Sequence, residues 1–356
     1  MTAERMMPAF FAPSVHAGGG LVLLSDICRH WPPDRPGLAF LDVRSAPALD
    51  IPAAWDVHWI PRTFGGRLRA ERRLLKESRT CSIVVCFHNL PPIFRLKAPV
   101  ACYVQNPVLI GLSQLSSYTG WVRLRIAIER FISRTFKANV DHYLVQTPTM
   151  AGALARWLGP GPGDRPFKIE LMPFADPVAL ASPETSEAIE FDFIYVSDGQ
   201  AHKNHRRLFD AWERLSRGGL RPSLAVTLHP ERDRELAALL ASMINRHGLN
   251  ITDLGQVPRD DVLRYYRRAR ALLFASFAES YGIPFLEARA VGLPILAAEL
   301  DFVRDMCEPA QTFDPFSAIS IARAVKRFLG QGEKPLNPLA PGDFIEGLLS
   351  LANRSV

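Results

Sequence analysis

Two glutamates, Glu279 and Glu287, lie eight positions apart around a predicted helix start. The polar turn 277–282 follows a short apolar run, and Pro284 suits the first helical position because its missing N–H is one that a helix leaves unpaired anyway. Eight positions are slightly more than two helical turns, so both carboxylates are expected on roughly the same face. A glutamate near a helix start can also merely stabilise the helix dipole, so these two residues alone leave their role open.

The main chain of the same stretch is suited to bind an anion. The N–H groups of residues 280–285, apart from Pro284, are expected to point out of the helix start, where unpaired donors and the helix dipole stabilise a phosphate. Gly282 has no Cβ, which lets the main chain approach a ligand closely. The apolar runs 271–276 and 294–298 predict a strand on each side, with Gly292 closing the helix. This strand, turn, helix and strand can hold a nucleotide diphosphate.

Further candidate residues follow other predicted strands. Lys203 lies between a strand and a helix, where it can neutralise a diphosphate, although a solvated loop lysine is the simpler interpretation. His88 and Gln105 end two strands, and ligands of parallel α/β sheets collect at those ends, although a lone histidine there is often structural. Gly19 and Gly20 belong to a glycine-rich loop that either approaches a phosphate or only makes a bend.

The glutamate stretch resembles a known signature. An E-x7-E spacing with S-Y-G-I-P inside it, preceded by L-F-A-S and followed by E-A-x-A-x-G-L-P-I-L-A, is similar to that of the family 4 retaining glycosyltransferases, which have the GT-B fold. The resemblance implies that Glu279 accepts hydrogen bonds from hydroxyls of a donor sugar and that Glu287 accepts from the nucleotide ribose. It also implies a loop whose backbone lies against sugar and phosphates, made of Ser280, Tyr281, Gly282 and Ile283.

The resemblance extends to other predicted site residues. It implies that Gly19 and Gly20 border the reaction centre, that Lys203 faces the departing diphosphate, and that the main chain near Val257 contacts the nucleobase. His88 is our candidate for contact with the acceptor or the sugar.

The chain departs from the family at two positions. A family histidine is replaced by Gln105, which leaves the acceptor side open. A family arginine is replaced by Ser197 or Asp198, so Lys203 acts alone or with Arg206 or Arg207.

Length and composition agree with two domains. The chain has 356 residues, of which 48% are hydrophobic and 22% charged, enough for two globular cores. The predicted fold is α/β of the GT-B type, with two doubly wound Rossmann-like domains facing across a cleft. Residues 1–175 form the acceptor-side domain, joined by a crossing helix at 340–356, and residues 190–335 form the donor-binding domain.

The charge is concentrated in the first half. Residues 1–172 carry 21 Lys and Arg against 12 Asp and Glu, and the remainder is net negative. Two segments, 62–79 and 118–137, are predicted cationic helices that suit anionic lipid headgroups, although the first can equally be a solvated face. In the second segment the apolar stripe of Leu124, Ile128 and Phe131 is expected to pack into the core, with its arginines free for phosphates or lipid. Trp121, Val122 and Ile126 fall outside this stripe, which suits either a wide buried face or an interfacial one.

Location and redox state follow from absent features. No apolar run reaches the length of a membrane span, and the start lacks a secretory pattern, which predicts a cytoplasmic protein, peripheral on the inner face of the membrane. Five scattered cysteines predict reduced, buried thiols.

These features together predict a retaining transferase. It would move a sugar from a UDP- or GDP-linked donor to a hydroxyl of a glycan or lipid-linked acceptor, in polysaccharide or lipopolysaccharide biosynthesis. No D-x-D triplet occurs, so we expect no metal, and we expect no further cofactor and no nucleic-acid partner. Two other functions are considered. A glycosidase would leave the phosphate-binding features without a use. A basic protein that binds nucleic acid or membrane on a catalytically inactive GT-B scaffold is the alternative from another class.

Overall fold

A computed structural model describes residues 7–112, 115, 118, 120–161, 166–175, 188–333, 340, 341 and 345. Within these ranges the strands of a first sheet are β1 (Met7–Ala12), β2 (Gly37–Asp42), β3 (Trp55–Ile60), β4 (Cys81–Cys86), β5 (Val100–Tyr103), β6 (His142–Val145) and β7 (Ile169–Leu171). Those of a second sheet are β8 (Phe191–Tyr195), β9 (Leu224–Val226), β10 (Ile251–Asp253), β11 (Ala269–Phe274), β12 (Ile295–Ala298) and β13 (Gln311–Phe313).

Helices alternate with the strands in both halves. The helices that connect the first sheet are α1 (Gly18–His30), α2 (Phe64–Glu77), α3 (Gly120–Thr135) and α4 (Pro148–Leu158). Those of the second half are α5 (His205–Arg217), α6 (Arg234–His247), α7 (Arg259–Arg267), α8 (Ile283–Ala290), α9 (Asp301–Arg304) and α10 (Ala318–Phe328). Side chains of Thr63, Thr147 and Ser317 accept hydrogen bonds from main-chain N–H groups at the starts of α2, α4 and α10, which satisfies donors that a helix leaves unpaired.

Both sheets are parallel and doubly wound. The first has the order β3-β2-β1-β4-β5-β6-β7 and the second the order β10-β9-β8-β11-β12-β13. All described strand pairs are parallel, and strands such as β2 and β12 are buried along their whole length. Short apolar runs such as Ile295–Ala298 form such strands because helices cover both faces of a parallel sheet.

Each sheet has a point at which its strand order reverses. In the first sheet this point lies between β1 and β4, and in the second it lies between β8 and β11. Ligands of such sheets bind in the crevice outside the carboxyl ends of the two strands at the reversal. The loops after these four strands are therefore where functional side chains are expected.

Each sheet has its own core. The main cluster of the second half is built from residues 191–329, with Trp212, Tyr195 and Phe274 among its largest buried side chains. Two clusters of the first half lie on the faces of its sheet. All five cysteines are free, and Cys28, Cys81, Cys86 and Cys102 are buried as predicted, whereas Cys307 is only partly buried.

The predicted core packing of the 118–137 helix is wrong. In α3 the buried side chains are Ile126 and Ser133, whereas Leu124, Ile128 and Phe131 are exposed. The buried side of α3 rests on a small cluster with Val108 and Leu109, which belong to the loop after β5, and among the described residues the opposite stripe faces solvent.

Two elements near the C-terminus were not predicted, and one lies outside the described residues. The sequence pattern missed β13 and α9, which are only three and four residues long. The predicted crossing helix at 340–356 lies outside the described residues, apart from positions 340, 341 and 345. Across the described ranges, no helix is both long and apolar enough to cross a bilayer.

Candidate active site

Lys203 and Glu279 meet at the reversal point of the second sheet. Lys203 ends a short 3-10 turn, Ala201–Lys203, after β8, and Glu279 lies in the loop after β11. The Lys203 Nζ donates to Glu279 Oε1 at 2.6 Å, with 17% and 12% of the two side chains exposed. A hydrogen bond between two charged groups with so little water around it is one of the stronger polar contacts that a protein makes. Two residues that the sequence singled out separately therefore form one ion pair.

Asn204 fixes the loop that carries Lys203. Its main chain is left-handed, with φ +64°, a conformation that asparagine tolerates better than other residues with a side chain. Its Nδ2 donates to the carbonyls of Ala275 and Pro315, at 3.1 and 2.7 Å. The hydroxyl of Ser276 donates to the carbonyl of His202 at 3.1 Å. No motif in the sequence predicts this role of Asn204. The one feature that could have indicated it is an asparagine directly before a helix.

The surroundings of Lys203 contain a second carboxylate and two neutral imidazoles. Burial disfavours the charged form of Asp198, but Lys203, Gln200 and Arg232 outweigh it, so the pKa of Asp198 lies below its usual range. Burial, and the charge of Lys203 with it, lowers the pKa of His202 to about 4. Burial likewise lowers the pKa of His205 to about 4, so neither ring carries a charge at neutral pH.

The sequence predicts that Lys203 acts alone or with Arg206 or Arg207. The side chain of Arg206 is exposed. Arg207 Nη1 donates to Asn204 Oδ1 at 2.9 Å, and its guanidinium lies 5.9 Å from the ring centre of Phe316, so Arg207 supports the loop that carries Lys203. A further cation, Arg232, lies 3.9 Å from Asp198.

Gly282 is required by its own turn. Its φ is +72°, and a Cβ at this position would lie 2.6 Å from the Phe285 ring. Phe285 N donates to the Gly282 carbonyl at 2.9 Å. The prediction of free N–H groups up to Phe285 is therefore wrong at that residue, because the turn uses the donor itself. The remaining loop positions Ser280, Tyr281 and Ile283 lie before or at the start of α8.

Glu287 and Val257 occupy separate places near this loop. Because α8 begins only at Ile283, helical periodicity does not place Glu279, and the expectation that the two carboxylates share a face stays a prediction. Glu287 is buried in α8, and burial together with its charge raises the pKa of Tyr266 far above the usual range. Val257 follows β10 and packs partly buried against the core of the second half.

The prediction that Gly19 and Gly20 lie in a loop is wrong, because α1 already begins at Gly18 and both residues are in its first turn, between the two halves of the chain. A Cβ on Gly20 would lie 3.4 Å from Gln105 Oε1, and one on Gly19 would lie 3.6 Å from Ile283 Cδ1. Ile283 also packs against a core cluster of the first half. Gly19 is therefore brought next to the loop that carries Glu279 and Gly282, whereas Gly20 faces Gln105.

Polar contacts from α4 also cross between the halves. Thr147 Oγ1 donates to the Ser280 carbonyl at 3.3 Å, and the N–H of Thr149 donates to Asp305 Oδ2 at 2.9 Å. Burial, and the neighbouring Tyr281 with it, raises the pKa of Tyr103. These contacts support the loop at Ser280 from the first half, and no motif in the sequence signalled them.

His88 lies at the reversal point of the first sheet but is enclosed. Its Nδ1–H donates to the Phe11 carbonyl at 3.0 Å, and its Nε2 accepts from Arg67 Nη2 at 3.1 Å, because a guanidinium can only donate. Burial and the charge of Arg67 hold the pKa of His88 well below its usual range. The neutral ring thus orients Arg67, which is partly exposed, and a contact of His88 itself with substrate stays a prediction.

The two reversal points thus collect most of the predicted site residues. Lys203, Glu279 and the loop at Gly282 lie at one, and Gly19, Gly20 and His88 lie at the other. In the part of the chain that the structure describes, no group of three or more His, Cys, Asp or Glu side chains is arranged to hold a metal ion.

Comparisons with known proteins agree with this arrangement. Residues 183–338 match the family model described as glycosyl transferases group 1. The serotype-specific mannosyltransferase WbdA of Escherichia coli is 27% identical over 149 residues, which is 41% of this chain and 18% of WbdA. The O-antigen chain mannosyltransferase B of the same organism is 29% identical over 108 residues, 30% of this chain and 28% of that protein. The chain thus matches less than a third of the length of each relative.

Solved structures are similar over nearly the whole chain. Anabaena HepE in complex with UDP-glucose has a TM-score of 0.67 at 16% identity, covering 91% of this chain and 90% of HepE. The fold is GT-B. Sucrose-phosphate synthase from Thermosynechococcus elongatus agrees, with a TM-score of 0.66 at 14% identity, 92% of this chain and 90% of the synthase. The GT-B prediction is thereby confirmed, and Lys203, Glu279 and Glu287 lie inside the residues that match the group 1 glycosyltransferase model.

Proposed function

We propose that this protein is a retaining glycosyltransferase that moves a sugar from a UDP- or GDP-linked donor to a hydroxyl acceptor. The observation that carries the proposal is the Lys203–Glu279 ion pair at the reversal point of the sheet, inside the residues that match group 1 glycosyltransferases. The two mannosyltransferase relatives support a hexose as the sugar and a cell-surface polysaccharide or lipopolysaccharide as the product. The UDP-glucose complex of the structural neighbour supports a nucleotide-sugar donor.

In the proposed reaction, Lys203 stabilises the departing diphosphate. The transition state of sugar transfer puts positive charge on the sugar ring and negative charge on the leaving group, so a cation held in place beside that group lowers the barrier. Donor binding draws Lys203 from Glu279 to the phosphates. The carboxylate of Glu279 then becomes free to accept hydrogen bonds from the sugar hydroxyls, and it orients the sugar rather than attacking it.

The other predicted residues surround the donor. Glu287 accepts from the ribose, and the main chain near Val257 lies against the base. The loop at Ser280, Tyr281, Gly282 and Ile283 lies against the sugar and phosphates, and Gly19 and Gly20 border the reaction centre from the first half. We propose domain limits of 1–175, with a crossing helix at 340–356, and 190–335.

The acceptor is assigned to the first half of the chain. Arg67, which His88 orients, is a partly exposed cation at the carboxyl edge of the first sheet and suits an anionic acceptor such as a lipid-linked glycan. The proposed reaction needs neither metal nor organic cofactor. The proposed location is the cytoplasm, at the inner face of the membrane. No separate observation favours a binding protein on an inactive scaffold, because the paired Lys203 and Glu279 would then have no task.

Thermal stability against nucleotides tests this function. UDP, GDP, ADP, CMP and dTDP are added singly, each with and without EDTA, and a ligand at about 100 times its dissociation constant should stabilise by about 2.7 kcal/mol. We expect UDP or GDP to raise the melting midpoint equally with and without the chelator. A protein that responds to none of the five is not the proposed enzyme. With the responding nucleotide known, proton NMR of the product of the matching nucleotide sugar gives the anomeric configuration, and inversion would contradict the proposed mechanism.

A further inference from the structure

Helix α3 presents its apolar stripe to solvent. The exposed fractions of Trp121, Ile128 and Phe131 are 79%, 49% and 67%, and Leu124 is also exposed. At about 100° per residue, these four side chains lie on one side of the helix. We call them the α3 ridge.

The orientation of α3 is fixed from its other side. Arg130 Nε and Nη2 both donate to the carbonyl of Val108, at 3.0 and 2.6 Å, and Trp157 Nε1 donates to Ser133 Oγ at 2.9 Å. Ile126 is buried in the cluster with Val108. The ridge therefore faces outward because the opposite side of the helix is bonded to the first half of the chain.

The charges beside the ridge have one sign. Arg123 and Arg134 flank it on one side and Arg125 flanks it on the other, and all three are exposed. Glu129, the acid of this helix, lies on the inner side, where burial raises its pKa while Arg125 and Arg67 act against that rise. Helix α2, whose Arg67 thus lies near α3, adds exposed cations, namely Arg69, Arg72, Arg73 and Lys76.

We propose that the α3 ridge inserts into the headgroup region of an anionic lipid bilayer, with the flanking arginines on the lipid phosphates. An apolar helical face bordered by arginines, with a Trp and a Phe on it, is the pattern of a helix that lies in a membrane interface. Each basic residue near an anionic surface adds about 1 kcal/mol of attraction. A second copy of the chain fits this surface poorly, because a two-fold contact would bring the same arginines together.

The position of α3 connects this surface with the acceptor side. The cluster under the helix contains Leu90, Val108 and Leu109, from the loops that carry His88 and Gln105. A bilayer bound at the ridge would therefore lie beside those loops, where a lipid-linked acceptor can reach the cleft. The lipid-linked acceptor rests on the proposed function, whereas the binding of the α3 ridge to a bilayer does not depend on it.

Vesicle flotation of the full chain tests the surface. The probes are vesicles of phosphatidylcholine alone and of phosphatidylcholine with an equal amount of phosphatidylglycerol, at low salt. The matched variants are Ile128→Asp on the ridge and Ile319→Asp on α10, because the two isoleucines are 49% and 48% exposed. We expect the wild type to float with the anionic vesicles only. Ile128→Asp should lower the partition constant by about tenfold or more, the effect of losing one buried isoleucine, and Ile319→Asp should leave it unchanged.

Several results would overturn the inference. These are wild-type protein that floats with neither vesicle, an Ile128→Asp variant that floats like the wild type, and equal losses in both variants. A lipid-free dimer that Ile128→Asp dissociates in sedimentation equilibrium would assign the ridge to a second copy instead. The nucleotide-induced melting shift, measured without lipid, shows that each variant is folded. It also keeps the two proposals apart, because a retained shift without vesicle binding refutes only this inference.

Discussion

Opposite effects on nucleotide binding are expected from the two members of the Lys203–Glu279 pair. Lys203→Met should weaken the binding of the nucleoside diphosphate that stabilises the protein. Glu279→Gln should strengthen it while abolishing sugar transfer. The reason is that Lys203 must leave the carboxylate before it can reach a phosphate, so the pair competes with the ligand.

The magnitudes follow from the geometry. The contact is 2.6 Å long, and both side chains are less than a fifth exposed. A hydrogen bond to a charged group contributes about 1.5–3 kcal/mol, and we take the lower end because water still reaches the pair. Glu279→Gln should therefore lower the dissociation constant about tenfold, since 1.4 kcal/mol corresponds to one factor of ten. Lys203→Met should raise it by about tenfold or more, because Glu279 then also repels the diphosphate.

Isothermal titration calorimetry measures these constants directly. The matched control is Lys326→Met, which removes a partly exposed lysine from α10 and should leave binding unchanged. Weaker binding by Glu279→Gln would refute the competition, because it would mean that the carboxylate helps to hold the nucleotide. Unchanged binding by Lys203→Met would remove Lys203 from the phosphate site altogether.

Three further perturbations have defined outcomes. Burial raises the pKa of Glu71 from 4.5 to about 7. The folded state therefore binds the Glu71 proton more tightly than the unfolded state does. This tighter binding stabilises the folded protein fully below pH 4.5, and the stabilisation, about 3 kcal/mol in the free energy of unfolding, is lost as the pH rises through about 7. Calorimetry should show a melting midpoint that falls as the pH rises over this range, and Glu71→Gln should abolish this pH dependence. An unchanged pH dependence in the variant would mean that other groups cause it. Gly282→Ala should cost about 1–3 kcal/mol and weaken nucleotide binding, because it adds a clash with Phe285 to the left-handed strain. Gly292→Ala is the control, because Gly292 has a φ of +67° with open space around it and the variant should show the left-handed strain alone. Equal losses of unfolding free energy in the two variants, measured with urea, would contradict the clash with Phe285. Asp198→Asn should tighten nucleoside diphosphate binding about two- to fivefold, because it removes a negative charge beside the expected phosphates; weaker binding in calorimetry would contradict this.

The sequence was most informative where local patterns agree with the fold. The apolar runs 271–276 and 294–298 are short and bounded by turns, so they predict buried parallel strands, and the structure has strands at Ala269–Phe274 and Ile295–Ala298. The left-handed Gly292 was also predicted, because a glycine directly after a helical pattern commonly closes the helix. The apolar stripe of α3 gave a wrong prediction of core packing, because periodicity shows that a helix has one apolar face but not whether another layer covers that face.

The site shows the same division between local and tertiary information. The approximate positions of Lys203 and Glu279 followed from motifs, but their hydrogen bond depends on β8 and β11 being neighbours across 76 residues, which no local pattern encodes. The role of Asn204 depends on two carbonyls brought to it by other loops, at Ala275 and Pro315. His88 was predicted at the right edge of the sheet, but its enclosure by Phe11 and Arg67 is a result of packing between β1, β4 and α2.

The separate cores of the two halves affect how such a protein can evolve. The core of the second half is built from residues 191–329, and the family likeness at 183–338 falls on the same part of the chain. A gene that exchanged its first half would therefore keep the proposed donor site and need new complementarity where the first half touches it, around Ile283, the Ser280 carbonyl and Asp305. If the proposed function holds, the choice of acceptor can thus diversify by recombination while the choice of donor is conserved.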